Sequence, residues 1–200
     1  MNKINYDALM QDKIENAYQG KNKKLLIHSC CAPCSTACLE RLKGVFDITV
    51  LYYNPNIDTE LEFNKRLLEQ RRFCDEFGIK VIDLGYRKDE FLGEVIGLEN
   101  EKEGGRRCEK CFYLRLKKTA CYAKENGYDL FMTTLTVSPL KNATLINNIG
   151  REVAEEVGVN YLESDFKKKD GYKRSIELST EYSLYRQNYC GCEFSKPQLS

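Results

Sequence analysis

Short β-branched or apolar runs alternate with longer amphipathic stretches along the whole sequence, and this alternation limits the fold more than any other feature. Residues 23–29, 47–53 (DITVLYY), 79–84, 128–134 and 160–163 read as strands. Between them the spacing predicts helices over 33–42, from a cap at Asp58 or Thr59 to residue 77, near 88–98, over 109–126 and over 141–157. A polar helical start at 5–19 and a last helix over 171–189 flank this series. Pro33 suits a first helical turn, Asn54, Pro55 and Asn56 form a turn, and Gly78 and Gly127 stop the helices they follow. Strands separated by helices pair in parallel, so the expected class is α/β with a doubly wound parallel sheet. Ligands of such sheets gather at the carboxyl ends of the strands.

A chain of 200 residues buries a sufficient core without metals or disulfides as staples. No repeat or linker divides it, so residues 1–200 are expected to form a single domain, with 165–200 as a C-terminal helical segment closing the site. The first 24 residues are charged and lack the apolar core of a signal peptide, and no run approaches the roughly 18 apolar residues of a membrane span. The expected location is the cytoplasm, where thiols stay reduced and clustered cysteines favour metal binding or catalysis over disulfides.

Seven of the ten cysteines form three groups: Cys30, Cys31 and Cys34 in HSCCAPC; Cys108 and Cys111 in RRCEKC; Cys190 and Cys192 in YCGC. Groups so far apart in the chain meet only through the fold, as a thiolate-ligated metal centre requires. Cys34 and Cys111 fall at or near helix N-termini, Arg106 and Arg107 add positive charge beside Cys108, and Gly191 lets the chain turn between its two cysteines. Cys38, Cys74 and Cys121 lie inside apolar helical patterns and are assigned to the core. Seven thiolates exceed the four of one structural zinc and fall short of two such sites. A four-iron cluster takes four, leaving three for a second metal or a dithiol relay. Because adjacent residues seldom direct both side chains at one atom, the expected division gives the cluster Cys30, Cys108, Cys111 and one of Cys190 and Cys192. Cys31, Cys34 and the remaining cysteine then form the second site.

The net charge of +1 says little, but Arg106, Arg107, Lys110, Arg115, Lys117 and Lys118 form one basic segment, and Lys167, Lys168, Lys169, Lys173 and Arg174 another. Such runs are often solvated surface. Two of them, each near a cysteine motif, point to a polyanion, and the interleaved Tyr172 and Tyr113 suit base stacking, with a core role the equal alternative for Tyr113.

HSCCAPC after the first strand, YYNPNI after the second, RRCEKCFYLRL opening a helix, TTLTVSPLKN after the fourth strand and FKKKDGYKRSIELSTEYSLYRQNYCGC near the end together resemble the epoxyqueuosine reductases of the QueH type. The resemblance runs in order from His28 to Cys192. It implies a Rossmann-like fold related to HUP domains, a 4Fe-4S cluster with an accompanying metal site read as iron, and reduction of epoxyqueuosine to queuosine at the wobble position of transfer RNA. Some members carry an aspartate where this chain has Cys34; either group ligates iron, but the second metal's properties change with it.

Removing an epoxide oxygen to leave an alkene takes two electrons and two protons and releases water. No nicotinamide or flavin fingerprint is visible, which implies an external one-electron donor. A second metal with an open position would act as a Lewis acid on the epoxide oxygen, which makes Cys31 and Cys34 the catalytic ligands, with Tyr53, Asp170 or a water as proton donor. His28 either serves the cluster or is a buried structural residue. The RNA contacts expected are Arg106, Arg107, Lys168, Lys169, Tyr172 and Arg174. Two other classes remain open: a transfer-RNA sulfur-transfer enzyme, which needs a glycine-rich phosphate loop where this chain has HSCCAPC, and a zinc-stabilised RNA-binding module.

Overall fold

The computed structural model describes residues 4–18, 20 and 22–196. Five strands, β1 (Lys24–His28), β2 (Asp47–Tyr52), β3 (Lys80–Asp83), β4 (Leu130–Thr133) and β5 (Asn160–Tyr161), form one sheet in the order β3-β2-β1-β4-β5. Every neighbouring pair is parallel. The doubly wound parallel sheet expected from the alternation is therefore present. The order reverses between β1 and β4, where His28 lies opposite Thr133, and such a switch point opens a crevice beyond the strand ends.

The helices are α1 (Tyr6–Lys13), α2 (Ala32–Leu42), α3 (Glu60–Glu76), α4 (Lys88–Glu94), α5 (Arg106–Glu125), α6 (Ala143–Val157) and α7 (Gly171–Glu181). α1 continues as a π-helical turn over Ile14–Tyr18, and Gln19, the end of the expected first helix, lies outside the described residues. α2 packs on α3 and α7, and α5 on α4 and α6, so both faces of the sheet are covered. Double coverage explains why Leu25, Leu26 and Ile27 of β1 are all fully buried and why the strands read as continuous apolar runs.

Local chemistry sets most boundaries. Thr59 caps α3 by accepting from the Glu62 N–H at 3.2 Å, and Asn142 caps α6 by accepting from Leu145 N–H at 3.2 Å. Pro33 occupies the first turn of α2, as expected. Two expectations need correction. α5 begins at Arg106, so both Cys108 and Cys111 lie in its opening turns. α7 ends at Glu181, well short of residue 189, because Ser183 turns left-handed with φ 48° and Arg72 of α3 donates to the carbonyls of Tyr182 and Ser183 at 3.0 and 3.2 Å. Residues 182–192 therefore run as an irregular segment over the strand ends. The last four residues of the expected 165–200 segment, and residues 1–3, lie outside the described residues.

Candidate metal centre

The first cysteine group sits where β1 leaves the sheet. The chain bends at Cys30, and Cys31 is the extended N-cap of α2 with φ −174° and ψ 161°. That bend brings the Cys30 and Cys31 sulfurs to 3.9 Å, and all three thiols of Cys30, Cys31 and Cys34 lie within 4.8 Å of one another. Thiolates ligating one tetrahedral ion at about 2.3 Å stand about 3.8 Å apart. Gln187 of the irregular segment donates Nε2 to the Cys31 sulfur at 2.8 Å. Hydrogen bonds from Cys31 and Cys34 hold the Cys30 thiol well below its ordinary pKa, and the same sharing pushes Cys31 up to about 12 and Cys34 up as well. Three sulfurs held this close suit a single cation, which would ligate them as thiolates.

The other four thiols, Cys108, Cys111, Cys190 and Cys192, line one shared cavity. Here the backbone N–H of Gly104 donates to the Cys108 sulfur at 3.2 Å. Burial pushes Cys111 up to about 11, against the nearby Arg115 guanidinium, and pushes Cys192 up to about 12. α3 and the turn before it hold the C-terminal pair in place: Gly191 C=O accepts from Asp58 N–H at 2.9 Å, and Cys190 C=O accepts from Arg66 Nη1 at 3.1 Å. Tyr189 donates its hydroxyl to Asp58 Oδ1 at 3.1 Å.

The geometry groups the seven cysteines differently from the expected division. Cys30 stands with Cys31 and Cys34, not with Cys108 and Cys111, because the bend before α2 turns neighbouring side chains together. Cys190 faces both groups: it lines the four-thiol cavity and also a cleft beside Cys30 and Cys34. Cys38 and Cys74 are fully buried in the core, as expected, whereas Cys121 is only half-buried.

Several residues that sequence reasoning passed over surround these thiols. Lys141, in the TTLTVSPLKN stretch, lines both cavities. Burial works against its charge, but the thiols of Cys190, Cys30 and Cys34 outweigh that and raise its pKa above the ordinary lysine value. Arg115, counted in the sequence only as part of a basic run, is fully buried and donates Nη2 to Asn54 Oδ1 at 2.7 Å. Its place four residues after Cys111 on a helix is the one sequence signal that points to this neighbourhood. His28 is buried between Thr133 Oγ1, 2.9 Å from Nδ1, and the Tyr53 carbonyl, 3.1 Å from Nε2. Burial, reinforced by Arg115, lowers its pKa to about 3, which favours the neutral imidazole at the strand end.

Neither proton-donor candidate faces the thiols. Tyr53 is buried with its hydroxyl bonded to Glu90 and lines neither cavity, and Asp170 is exposed in the turn before α7 with a left-handed φ of 57°. Of the expected RNA contacts, Tyr172 lines the cleft and is 38% exposed. Arg106 and Lys168 are exposed without an ion-pair partner among the described residues. Lys169 lies 3.7 Å from Asp7, and Arg174 pairs with Glu40 at 2.7 Å and with Glu177 at 3.3 Å. Arg107 is buried and donates Nη1 to the carbonyls of Leu98, Glu99 and Glu101, so its charge is directed into the loop before α5 and away from solvent.

Comparison with solved structures gives the same sheet architecture. The chain is similar to a predicted subunit of a tRNA methyltransferase from Methanocaldococcus jannaschii, with TM-score 0.52, 11% identity and coverage of 80% of this chain and 76% of that one. It is also similar to the U34-tRNA thiolase NcsA from Methanococcus maripaludis, described with its 4Fe-4S cluster, with TM-score 0.54, 17% identity and coverage of 95% and 68%. At these identities the likeness establishes the fold, as the α/β class expected. Sequence relatives reach further. Proteins described as epoxyqueuosine reductase QueH are 44% identical in Staphylococcus epidermidis, covering 96% of this chain and 85% of that protein, and 43% identical in Streptococcus pyogenes, covering 96% and 78%. The relative from Thermotoga maritima is 37% identical and covers 86% and 89%. A family model described as epoxyqueuosine reductase QueH matches residues 25–198, a span that takes in all three cysteine groups, and with it the chain belongs to the epoxyqueuosine reductase QueH family.

Proposed function

We propose that this chain reduces epoxyqueuosine to queuosine at the wobble position of transfer RNA, in the cytoplasm, with electrons delivered one at a time by an external donor. Family membership supports the reaction. The structural observation that carries it is the gathering of seven thiols into two neighbouring sets, three within 4.8 Å of one another after β1 and four lining a cavity, with Cys190 facing both.

The donor set fits the groups that the chemistry needs. Four thiols around one cavity, Cys108, Cys111, Cys190 and Cys192, suit a 4Fe-4S cluster, and Cys30, Cys31 and Cys34 suit a single metal ion, read as iron. When bound, these groups supply one-electron transfer and Lewis-acid polarisation of an oxygen. The chain's own residues do the rest. Gln187 orients the Cys31 sulfur, and Lys141 keeps a positive charge where the two cavities meet, facing negative charge that develops on a departing oxygen. The cleft beside Cys30 and Cys34 is walled by Tyr172, Gln187 and Tyr189 from the C-terminal part of the chain, which supports a closing role for that segment. An exposed Leu140 and Tyr172 on its rim suit an unpaired base.

Anaerobic reconstitution tests this reading. The wild type should hold about four to five irons with visible cluster absorption, and Cys108→Ala or Cys111→Ala should lose most of it. Cys31→Ala and Cys34→Ala should keep much of that absorption while abolishing conversion of epoxyqueuosine to queuosine, read by nucleoside mass spectrometry with a chemical reductant. Cys74→Ala, a core change, should leave the metal in place. Stoichiometric zinc without iron would end the cluster reading, and full turnover by both Cys31 and Cys34 variants would end the second-site reading.

A further inference from the structure

Three arginines of this chain are almost wholly buried, and they differ in what neutralises them. Arg66, 2% exposed, pairs with Glu62 at 2.7 Å. Arg107, also 2% exposed, has three backbone carbonyls within hydrogen-bond reach. Arg115, 1% exposed, has no carboxylate partner among the described residues. Its guanidinium meets the Cys111 sulfur at 3.8 Å through Nη1, His28 Nε2 at 3.3 Å through Nε, and Asn54 Oδ1 at 2.7 Å through Nη2. An isolated buried cation is strongly disfavoured, and these neutral groups offset only part of that. A chain that keeps such a charge at this position requires an anion there. The groups beside Arg115 that can become anionic are thiols, Cys111 first among them.

The same three contacts reach across the site. Arg115 and Cys111 sit four residues apart on α5, while Asn54 donates Nδ2 to the Ser29 carbonyl at 2.9 Å, directly before Cys30. Arg115 thus joins the helix that carries one cysteine group to the strand ends that carry the other.

We infer that Arg115 is a positioning residue, the resident counter-cation of the thiolate set, and that its fixed charge raises the reduction potential of the cluster held by Cys108, Cys111, Cys190 and Cys192. This rests on the cluster reading given above. Reduction adds an electron to an already anionic group, so a buried positive charge in contact with a ligand sulfur favours the reduced state, and hydrogen bonds to sulfur act in the same direction. Burial keeps solvent from screening the effect.

The test is a redox titration of reconstituted protein without RNA, followed by visible absorption and electron paramagnetic resonance, for the wild type, Arg115→Met and Arg115→Lys. Methionine keeps the bulk and removes the charge; lysine keeps the charge and removes the fork. At a fixed potential near the midpoint, Arg115→Met should lower the ratio of reduced to oxidised cluster at least tenfold, a shift of about 59 mV for a one-electron couple. Arg115→Lys should stay within threefold of the wild type. An unmoved ratio in Arg115→Met, or an equal shift in both variants, overturns the inference. If Arg115→Met takes up no cluster, uptake by Arg115→Lys supports the charge role, and failure of both overturns it. A wild type that takes up no iron overturns the cluster reading and this inference together, whereas a wild-type cluster insensitive to Arg115→Met overturns the inference alone.

Discussion

Gly191 stands between the two C-terminal cysteines with φ 110°, a conformation that residues with a Cβ seldom adopt. An added Cβ would meet Arg66 Nη1 at 2.9 Å and Ile57 Cγ1 at 3.1 Å, so the cost is steric as well as conformational. Arg66 cannot give way freely, since it is buried and holds both Glu62 and the Cys190 carbonyl. Gly191→Ala should therefore lower stability by about 1–3 kcal/mol and displace Cys190 and Cys192 from the cavity they share. Melting of the apo protein and iron content after reconstitution would both fall; unchanged iron content would show that the loop repacks without loss. At this scale the chemistry-bearing residues were largely legible. Grouped cysteines and the glycine between two of them are signals carried by spacing alone. Lys141 and Gln187 were not legible, because what makes each important is a neighbour distant in sequence, the Cys30, Cys34 and Cys190 sulfurs for Lys141 and Cys31 for Gln187; Arg115 stands four residues from Cys111, but its burial and its reach to Asn54 and His28 come only from the fold.

At the scale of elements, the sheet depends on the entry of β1 and β4 in register, and Asp129 fixes it. Its carboxylate accepts from Lys24 N–H at 2.8 Å and from Lys23 Nζ at 2.6 Å, while its own N–H donates to the Lys24 carbonyl at 3.0 Å. The Lys23 hydrogen bond, then that of Lys24, holds the carboxyl below the usual aspartate value of 3.8. A group whose pKa is lower in the folded state stabilises the fold at every pH above the unfolded value. That contribution is lost as pH falls below about 3.8 and through the folded pKa. Asp129→Asn should cost up to about 1 kcal/mol at pH 7, with the side chain 34% exposed, and should flatten the acid limb of a stability-against-pH curve below pH 4. A variant with an unaltered acid limb would remove Asp129 from this role. Strands and helix starts were readable because apolar runs, caps and Pro33 act locally. The end of α7 was not. Its periodicity continues toward residue 189, but Arg72 takes the carbonyls of Tyr182 and Ser183, and Glu69 accepts the Tyr185 N–H at 2.8 Å, so a neighbouring helix unwinds what local sequence would extend.

Over the whole molecule, charge that looked like two uniform basic runs divides into paired and unpaired cations. Arg107 faces inward, Arg174 is held by Glu40 and Glu177, and Lys169 lies beside Asp7. Arg106, Lys110, Lys168 and Lys173 are exposed and have no carboxylate partner among the described residues. Sequence reading cannot make this division, because Glu40 lies far from Arg174 in the chain and the Arg107 guanidinium turns back on its own loop. It bears directly on transfer RNA. An exposed cation without a partner can neutralise a phosphate and release a counterion, whereas one already paired must first break its ion pair. Lys168→Glu and Arg106→Glu should each weaken binding of the substrate transfer RNA and reduce the slope of log affinity against log salt by about 1, while Arg174→Ala changes neither. Tyr172→Ala, at the cleft rim, should cost about 1–3 kcal/mol of affinity while leaving the salt slope as it is, since stacking involves no phosphate. Filter binding or fluorescence anisotropy across a salt series separates these cases. A loss from Arg174→Ala equal to that from Lys168→Glu would show that ion pairs on this surface exchange freely with phosphates, and the division into paired and unpaired cations would then say nothing about where the RNA lies.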